Sequence, residues 1–299
     1  DTWQPSWDTT GTDATVQLTA SGTLRRLAQG NTPLISPFRR ALVDRVGVDL
    51  RAYWPCEEPA LAQTIASGIT DHPPMVLSGT AEYPYPTFGG SEDFPCSRPL
   101  PVVNGTVWRG AVPRYTSTGT VQARFLAAFP ADPIVAADVE VTICSIFTGS
   151  GSTVCRWDLV YVNNTGGSLK LYALEDSGTR TELTFSAFAV DDTRRWYSVE
   201  LDQDGADIDW AIRTIGLGYR AASSASGTMV GETLTRTSAV AIGPNGDLTD
   251  VVVGHVTVQD AITTFTDDLA AFNAFDFELL TDRVQRLCDE NGVNLTITG

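Results

Sequence analysis

The chain has 299 residues, 42% of them hydrophobic, and a formal net charge of −16. This length and composition predict a folded protein with one large or two medium cores, and the absence of any long apolar run excludes a membrane span. Nucleic-acid binding depends on clustered lysine and arginine, so the acidic balance and the single lysine, Lys170, argue against a nucleic-acid partner.

Residues 1–50 predict a small α/β unit. The chain begins at Asp1 without a signal-peptide pattern, so we expect it to be a piece of a longer protein. Apolar and polar residues alternate over Thr15–Thr19 as in a strand, and a helical pattern follows. Ser36 and Pro37 predict the start of a second helix, because serine caps helix N-termini and proline fits the first helical position.

Residues 51–262 predict an all-β sandwich, because short apolar alternations are separated by clusters of Gly, Asn, Asp and Ser. Asp204-Gly205 and Asn245-Gly246 are typical of tight turns with positive φ. The proline-rich and aromatic stretch Glu82–Pro101 predicts a long loop. The predicted strands are Thr120–Phe129, Val139–Phe147, Val154–Val162, Leu169–Leu174, Arg195–Leu201, Ile208–Thr214, Ala239–Ile242 and Val251–Val258.

Residues 263–299 return to a helical period and end in a short alternating strand, Val293–Ile297. The two ends of the chain therefore share an α/β character that the middle lacks. We predict one host domain built from residues 1–50 and 263–299, with the sandwich of residues 51–262 inserted into it, since such insertions are tolerated where domain termini lie close together.

Five segments give the chain a family resemblance. They are Thr15–Gly30, Pro33–Leu42, Ala52–Pro55, Val253–Val258 and Arg283–Val293. In this order they resemble minor tail proteins of phages and prophages of actinobacteria. The Tyr-Trp-Pro-acidic run within Arg51–Glu58 is similar to the opening of a laminin-G-like sandwich.

The resemblance implies a laminin-G/concanavalin-like jelly roll between pieces of a tail-hub-like domain. It also implies that Asp250–Asp260 is the closing strand of the sandwich and pairs near Tyr53 and Trp54. The expected partners are other tail proteins and further copies of the chain. The expected location is the virion tail, outside the cell after assembly in the host cytoplasm.

Five cysteines are an odd number, so at least one stays unpaired. Cys56 and Cys96 both follow prolines in loop-like sequence, and they could form a disulfide in an oxidising exterior. A symmetric hairpin would set Cys144 opposite Cys155 as a second candidate pair. That register mixes apolar and charged residues on one face, which a one-residue slip or a bulge would relieve, so the pairing stays open.

The sequence predicts no enzyme. His72 and His255 are the only histidines, and neither lies near a serine or cysteine motif, so we interpret His255 as a structural hydrogen-bonding residue. A glycosidase needs two carboxylates that flank the scissile bond. The acidic residues on predicted strands do not alternate around a tryptophan as they do in such enzymes. These residues are Glu140, Asp158, Glu200 and Asp202.

Four aspartates around Gly205 could bind calcium, which prefers oxygen ligands. They are Asp202, Asp204, Asp207 and Asp209. A hairpin turn explains the same residues without a metal, and no other cofactor is indicated.

Aromatic side chains in the long loop region are candidates for stacking on a sugar ring. They are Tyr83, Tyr85, Phe88 and Trp108. The same rings could instead pack over an edge of the sandwich. We therefore predict a non-enzymatic tail-tip protein whose sandwich binds a cell-surface polysaccharide. The alternatives are a polysaccharide-degrading enzyme and a structural spacer without a ligand.

Overall fold

Two antiparallel β-sheets form the part of the protein that the structure describes. The structure is a computed structural model, and it describes residues 36, 39, 42–43, 49–58, 62–78, 100–129, 139–149, 154–162, 168–183, 195–215 and 222–263. The predicted host domain of residues 1–50 and 263–299 lies almost entirely outside these ranges.

Fifteen strands are present in the described ranges. In chain order they are β1 (Leu50–Trp54), β2 (Thr64–Ile65), β3 (Met75–Ser78), β4 (Val102–Val103), β5 (Val107–Ala111), β6 (Thr120–Ala128), β7 (Glu140–Thr148), β8 (Val154–Val162), β9 (Ser168–Glu175), β10 (Arg180–Leu183), β11 (Arg195–Asp204), β12 (Asp207–Ile215), β13 (Ala222–Met229), β14 (Thr237–Ile242) and β15 (Val251–Gln259).

The strands form a β-sandwich of the jelly-roll type. The first sheet has the order β1-β15-β6-β11-β12-β13, with β4 also paired to β15. The second has the order β10-β9-β8-β7-β14-β5-β3-β2. The core lies between them, because alternate side chains point to opposite faces of a strand. In β6, for example, Val121 and Phe125 enter the core, whereas Gln122 and Arg124 lie on the outer face.

The predicted strands are confirmed, as is the closing pair. β15 lies antiparallel to β1, with Tyr53 opposite Thr257 and Trp54 opposite Val256. The predicted turns are also confirmed, since Gly205 and Gly246 have φ angles of 61° and 70°. Glycine adopts this left-handed region without the steric cost that other residues meet.

The predicted helix start at Ser36 is confirmed. Ser36 Oγ accepts a hydrogen bond of 3.1 Å from the backbone N–H of Arg39. Arg39, Leu42 and Val43 have helical backbone. This bond satisfies one of the N–H groups that a helix N-terminus leaves without a partner.

A second apolar cluster covers one end of the first sheet's outer face. Its buried members are Leu42, Leu50, Tyr53, Ile69, Leu100, Leu126, Ala128, Trp196 and Val252. Leu100 packs so closely over β15 that a Cβ at Gly254 would lie 2.4 Å from its Cδ2. At the other end of this face, over β11–β13, polar side chains line a cleft.

The candidate disulfide between Cys144 and Cys155, which the sequence left open, is not formed in the structure. Both thiols are free, and Cys144 lies opposite Leu159, four residues from Cys155. The register of Glu140–Thr142 alone would set Cys144 opposite Asp158, and the bulge between Thr142 and Cys144 adds one residue to that offset. Bulges shift the pairing of all residues beyond them. Cys56 also carries a free thiol in the structure, and its candidate partner Cys96 lies outside the described residues.

We expect the three thiols to differ in reactivity under native conditions. Cys56 and Cys144 are buried, and burial raises the pKa of both thiols, so they should resist alkylation until the protein unfolds. Cys155 is partly exposed and should react first. Alkylation followed by peptide mass spectrometry measures this order. Rapid native modification of Cys144 would contradict the register of β7 and β8.

Candidate ligand-binding cleft

A cleft of about 340 Å³ opens on the outer face of the first sheet, over β11–β13. Its polar lining residues are Glu200, Asp202, Asp209, Arg213, Ser226 and Thr228. The small side chain of Ala211 lies between Glu200 and Ser226 on the neighbouring strands. Larger side chains surround this alanine, and the difference in size creates the depression.

Two aspartates face each other directly at one end of the cleft. Asp202 lies opposite Asp209 in the β11–β12 ladder. Asp202 Oδ1 accepts a hydrogen bond of 2.7 Å from Thr120 Oγ1, and Asp209 Oδ1 accepts one of 2.6 Å from Thr228 Oγ1. Each threonine orients one carboxylate and leaves its second oxygen available as an acceptor.

Glu200 is the buried carboxylate of the cleft, with 2% of its surface exposed. It accepts hydrogen bonds from Arg213 Nε at 2.7 Å and from Gln122 Nε2 and Ser198 Oγ, each at 3.1 Å. Charge-assisted bonds of this kind compensate the cost of burying a carboxylate. Arg213 is itself 45% exposed at its side chain, so it remains within reach of a ligand.

An apolar side chain completes the lining. Ile262 is 42% exposed, which is high for an isoleucine, and it belongs to the segment that follows β15. The cleft therefore combines hydrogen-bond acceptors, one guanidinium donor and one apolar wall. Ligand sites commonly combine an apolar surface with a few placed polar groups.

The four aspartates predicted as calcium ligands do not converge. Asp202 and Asp209 form one cross-strand pair, and Asp204 and Asp207 form the next pair beside Gly205. Successive residues on one strand face are about 6–7 Å apart, too far for one ion to contact all four. Asp207 Oδ1 instead accepts a bond from Gly231 N. In the described ranges no three acidic, histidine or cysteine side chains could hold a metal ion.

Trp108 is not a sugar-stacking residue, contrary to the prediction. It lies in β5 with 0% exposure, inside the main core, and its Nε1 donates to Thr106 Oγ1 at 3.0 Å. The other three predicted stacking residues, Tyr83, Tyr85 and Phe88, lie outside the described residues.

His255 is structural, as expected. It is fully buried and its Nδ1 lies 2.8 Å from Tyr53 Oη. Burial, and secondarily the charge of Arg39, lowers the pKa of His255 to about 3. It is therefore neutral at physiological pH.

The four strand carboxylates considered for glycosidase chemistry fall into separate groups. Glu200 and Asp202 line the cleft, whereas Glu140 and Asp158 lie on the outer face of the second sheet. Asp158 accepts from Ser145 Oγ at 2.5 Å and Arg156 Nη2 at 3.0 Å. Burial opposes ionisation of Glu140, but hydrogen bonds outweigh it and hold the pKa of Glu140 below its usual value. The donors of these hydrogen bonds to Glu140 are Tyr172, Lys170 and Arg180.

The sequence prediction missed the role of Arg213, Ser226, Thr228 and Ile262. The alternation of Asp209, Ala211 and Arg213 was visible in the predicted strand β12. The pairing of β12 with β13 could not be seen in the sequence, because β13 consists mainly of Ala, Ser and Gly, which have low strand propensity.

Within the described ranges, no helix has the length and apolar character needed to cross a membrane.

No protein-family model matches the chain, and no curated protein matches it either. Solved structures with a similar chain fold include the binding domain of Paraclostridial Mosquitocidal Protein 1. The TM-score is 0.49 at 10% sequence identity, and the match covers 78% of this chain and 53% of that one. The protein thus spans about half the length of this structure.

Two phage structures are also similar. The enzymatically active domain of tailspike protein 2 from bacteriophage CBA120 has a TM-score of 0.42 and 13% identity, with 66% of this chain and 30% of that chain covered. The CBM2 module of the evolved Dit of Lactobacillus casei BL23 phage J-1 has a TM-score of 0.42 and 12% identity, with 72% and 98% covered. Similarities at this level do not assign a ligand or a role.

Proposed function

We propose that this protein is a tail-associated adhesion module whose cleft over β11–β13 binds a neutral cell-surface glycan. The observation that carries the proposal is the facing pair Asp202 and Asp209, each oriented by a threonine hydroxyl and lining the same depression. Sugar hydroxyls are hydrogen-bond donors, and oriented carboxylates are strong acceptors for them.

The remaining lining residues suit a sugar as well. Arg213 can donate to a ring or hydroxyl oxygen, and Ile262 offers an apolar surface to the C–H face of a pyranose. The two aspartates have no cationic partner among the described residues, and the chain carries a net charge of −16. This charge disfavours anionic polysaccharides by like-charge repulsion, so we propose a neutral glycan.

The tail association rests on the five sequence segments that resemble minor tail proteins of actinobacterial phages and prophages. In this proposal the residues that flank the sandwich assemble with other tail proteins or with further copies of the chain. The sandwich then faces the host surface, and the protein is located in the virion tail. Neither a nucleic acid nor a membrane is part of the proposal.

A polysaccharide-degrading enzyme is the second candidate function. One observation favours it: three carboxylates, those of Glu200, Asp202 and Asp209, line a single cleft. Glycoside hydrolysis uses two carboxyl groups on opposite sides of the scissile bond. Glycan binding without product release would favour adhesion, whereas the appearance of new reducing ends would favour the enzyme.

The adhesion proposal is tested by removing both charges from the aspartate pair. We expect the D202N/D209N variant to bind neutral actinobacterial cell-wall polysaccharide at least about tenfold more weakly than the wild type, because two charge-assisted hydrogen bonds become neutral ones. Binding is measured on a glycan array and by calorimetry. The matched control is D71N/D247N, which makes the same change in charge at two exposed positions outside the strands.

Wild-type protein that bound no glycan would support the structural spacer and contradict the adhesion proposal. Equal binding by the wild type and D202N/D209N would show that the ligand binds elsewhere on the protein. Turnover that is lost in the aspartate variant but kept in the control would establish the enzyme instead.

A further inference from the structure

We infer that Gln122 is a positioning residue that clamps the segment Asp260–Thr263, called the strap below, so that Ile262 forms the specificity-determining wall of the cleft. The inference deepens the proposed glycan-binding function and rests on it. It assigns Ile262 the contact with the apolar face of a sugar ring, and it assigns Gln122 the task of holding that contact in place.

Both the oxygen and the nitrogen of the Gln122 side-chain amide form hydrogen bonds to the strap. Its Oε1 accepts from the backbone N–H and the hydroxyl of Thr263, both at 3.2 Å. Its Nε2 donates to Thr263 O at 3.2 Å and to Glu200 Oε1 at 3.1 Å. An amide has two donor hydrogens and two acceptor lone pairs, so the side chain is saturated. It is also completely buried, with 0% exposure.

The other end of the strap is held by different residues. Asp260 forms an ion pair of 2.6 Å with Arg51 Nη2, and its backbone O accepts from Thr118 Oγ1 at 2.6 Å. Asp260 N donates to Asp49 O at 3.0 Å. At the Gln122 end, Arg124 Nη2 also donates to Thr263 O. The strap is therefore fixed at both ends, and Ile262 lies between the two attachments.

This arrangement gives an exposed isoleucine a defined position. Ile262 is 42% exposed and lines the cleft, although Asp260 is buried and Thr263 is hydrogen-bonded on either side of it in the strap. Gln122 contacts both the strap and Glu200, the buried carboxylate of the cleft, so one side chain sets the relative positions of the apolar wall and the polar floor. Site residues held by such supporting hydrogen bonds bind with less loss of conformational freedom.

The test compares Q122M, I262A and the double variant with the wild type. Methionine keeps the approximate length of glutamine and cannot make its hydrogen bonds. The probe is the neutral polysaccharide fraction released from actinobacterial cell walls. We expect about a fivefold loss of affinity in I262A from the lost apolar contact, and a similar loss in Q122M. The double variant should lose little more than I262A, because both changes act through one contact.

Amide hydrogen exchange supplies a readout that does not depend on the glycan. The N–H of Thr263 should exchange faster in Q122M than in the wild type, while I262A leaves it protected. If Q122M does not fold, T263V replaces it, since valine removes the hydroxyl donor to Gln122 and leaves the two backbone bonds of residue 263 to Gln122 in place. T263V should then show a smaller rise in exchange and a smaller loss of affinity in the same direction, and the absence of both would overturn the inference.

Each outcome decides between the two proposals. Binding by the wild type with unchanged affinity in I262A and Q122M would overturn the inference and leave the adhesion function in place. Additive losses in the double variant, or unchanged exchange at Thr263 in Q122M, would also overturn it. Absence of glycan binding by the wild type would overturn both.

Discussion

Lowering the pH from 7 to 3 should remove roughly 4 kcal/mol of folding free energy through His255 alone, because burial lowers its pKa from 6.5 to about 3. The folded state holds the imidazole neutral, whereas the unfolded chain takes up a proton as soon as the pH falls below 6.5. The contribution of His255 to the free energy of unfolding is fully present above pH 6.5, and it is lost progressively as the pH falls toward 3.

The surroundings of His255 explain the size of this effect. The ring is fully buried, and Tyr53 Oη lies 2.8 Å from Nδ1. Burial, and secondarily Glu57, raises the pKa of Tyr53, which keeps its hydroxyl protonated and able to donate. Nε2 lies 3.6 Å from Glu57 Oε1, too far for a good hydrogen bond, and the charge of Arg39 further disfavours the imidazolium.

Urea unfolding at pH 7, 5 and 3.5 measures the effect, with H255N as the reference. Asparagine tolerates the left-handed backbone at this position, where φ is 48°, and it does not titrate. The surface carboxylates titrate in both proteins, so their effect on stability cancels when the two pH profiles are compared. The wild type should lose stability more steeply than H255N between pH 6.5 and 3.5. Parallel pH profiles would show that His255 is not buried as a neutral ring.

Replacing Trp54 with alanine should lower the free energy of unfolding by about 3–5 kcal/mol, the range for large-to-small changes of aromatic residues in a core. Trp54 is 1% exposed, and its Nε1 donates to Pro73 O at 3.1 Å. The ring lies over Gly110, where a Cβ would come within 2.4 Å of Cζ2. The alanine variant loses this packing and leaves a cavity.

A double-mutant cycle with Gly110 makes the Trp54 prediction specific. G110A should destabilise the wild type, because the added methyl group clashes with the indole ring. In the W54A background the same methyl group enters empty space, so the double variant should be less destabilised than the sum of the two single variants. W54F is the milder control. Additive effects, measured by urea unfolding, would contradict the packing of Trp54 against Gly110.

The long strands could be predicted from the sequence because their side-chain alternation is strong. In β8 and β11, apolar residues such as Trp157, Leu159, Val199 and Leu201 recur at every second position and fill the core. Such local periodicity reports which face is buried. The helix cap at Ser36 depends on neighbouring residues only, and it was equally readable.

The cleft could not be predicted because it depends on pairing between strands. Asp202 and Asp209 were recognised as an acidic cluster around a turn, but their chemical setting comes from Thr120 on β6 and Thr228 on β13. Cys144 and Cys155 do not face each other, because β7 and β8 pair in a register four residues away from the symmetric one. Trp108 was grouped with the aromatic residues of the long loop region, whereas cross-strand pairing places it in a short core strand.

The chain enters and leaves the described sandwich at a single point. Asp49 O accepts a hydrogen bond from Asp260 N, and the neighbouring Leu50 lies opposite Gln259 at the ends of β1 and β15. Tension applied through the two connecting segments would first load the attachment of Thr263 to Gln122 and Arg124. Once that attachment opened, the tension would separate β1 from β15 one rung at a time, beginning at this end. Breaking the hydrogen bonds of a strand pair one rung at a time needs less force than shearing all of them at once. β1 and β15 would therefore separate at a low force, before the other strands of the sandwich bear the tension.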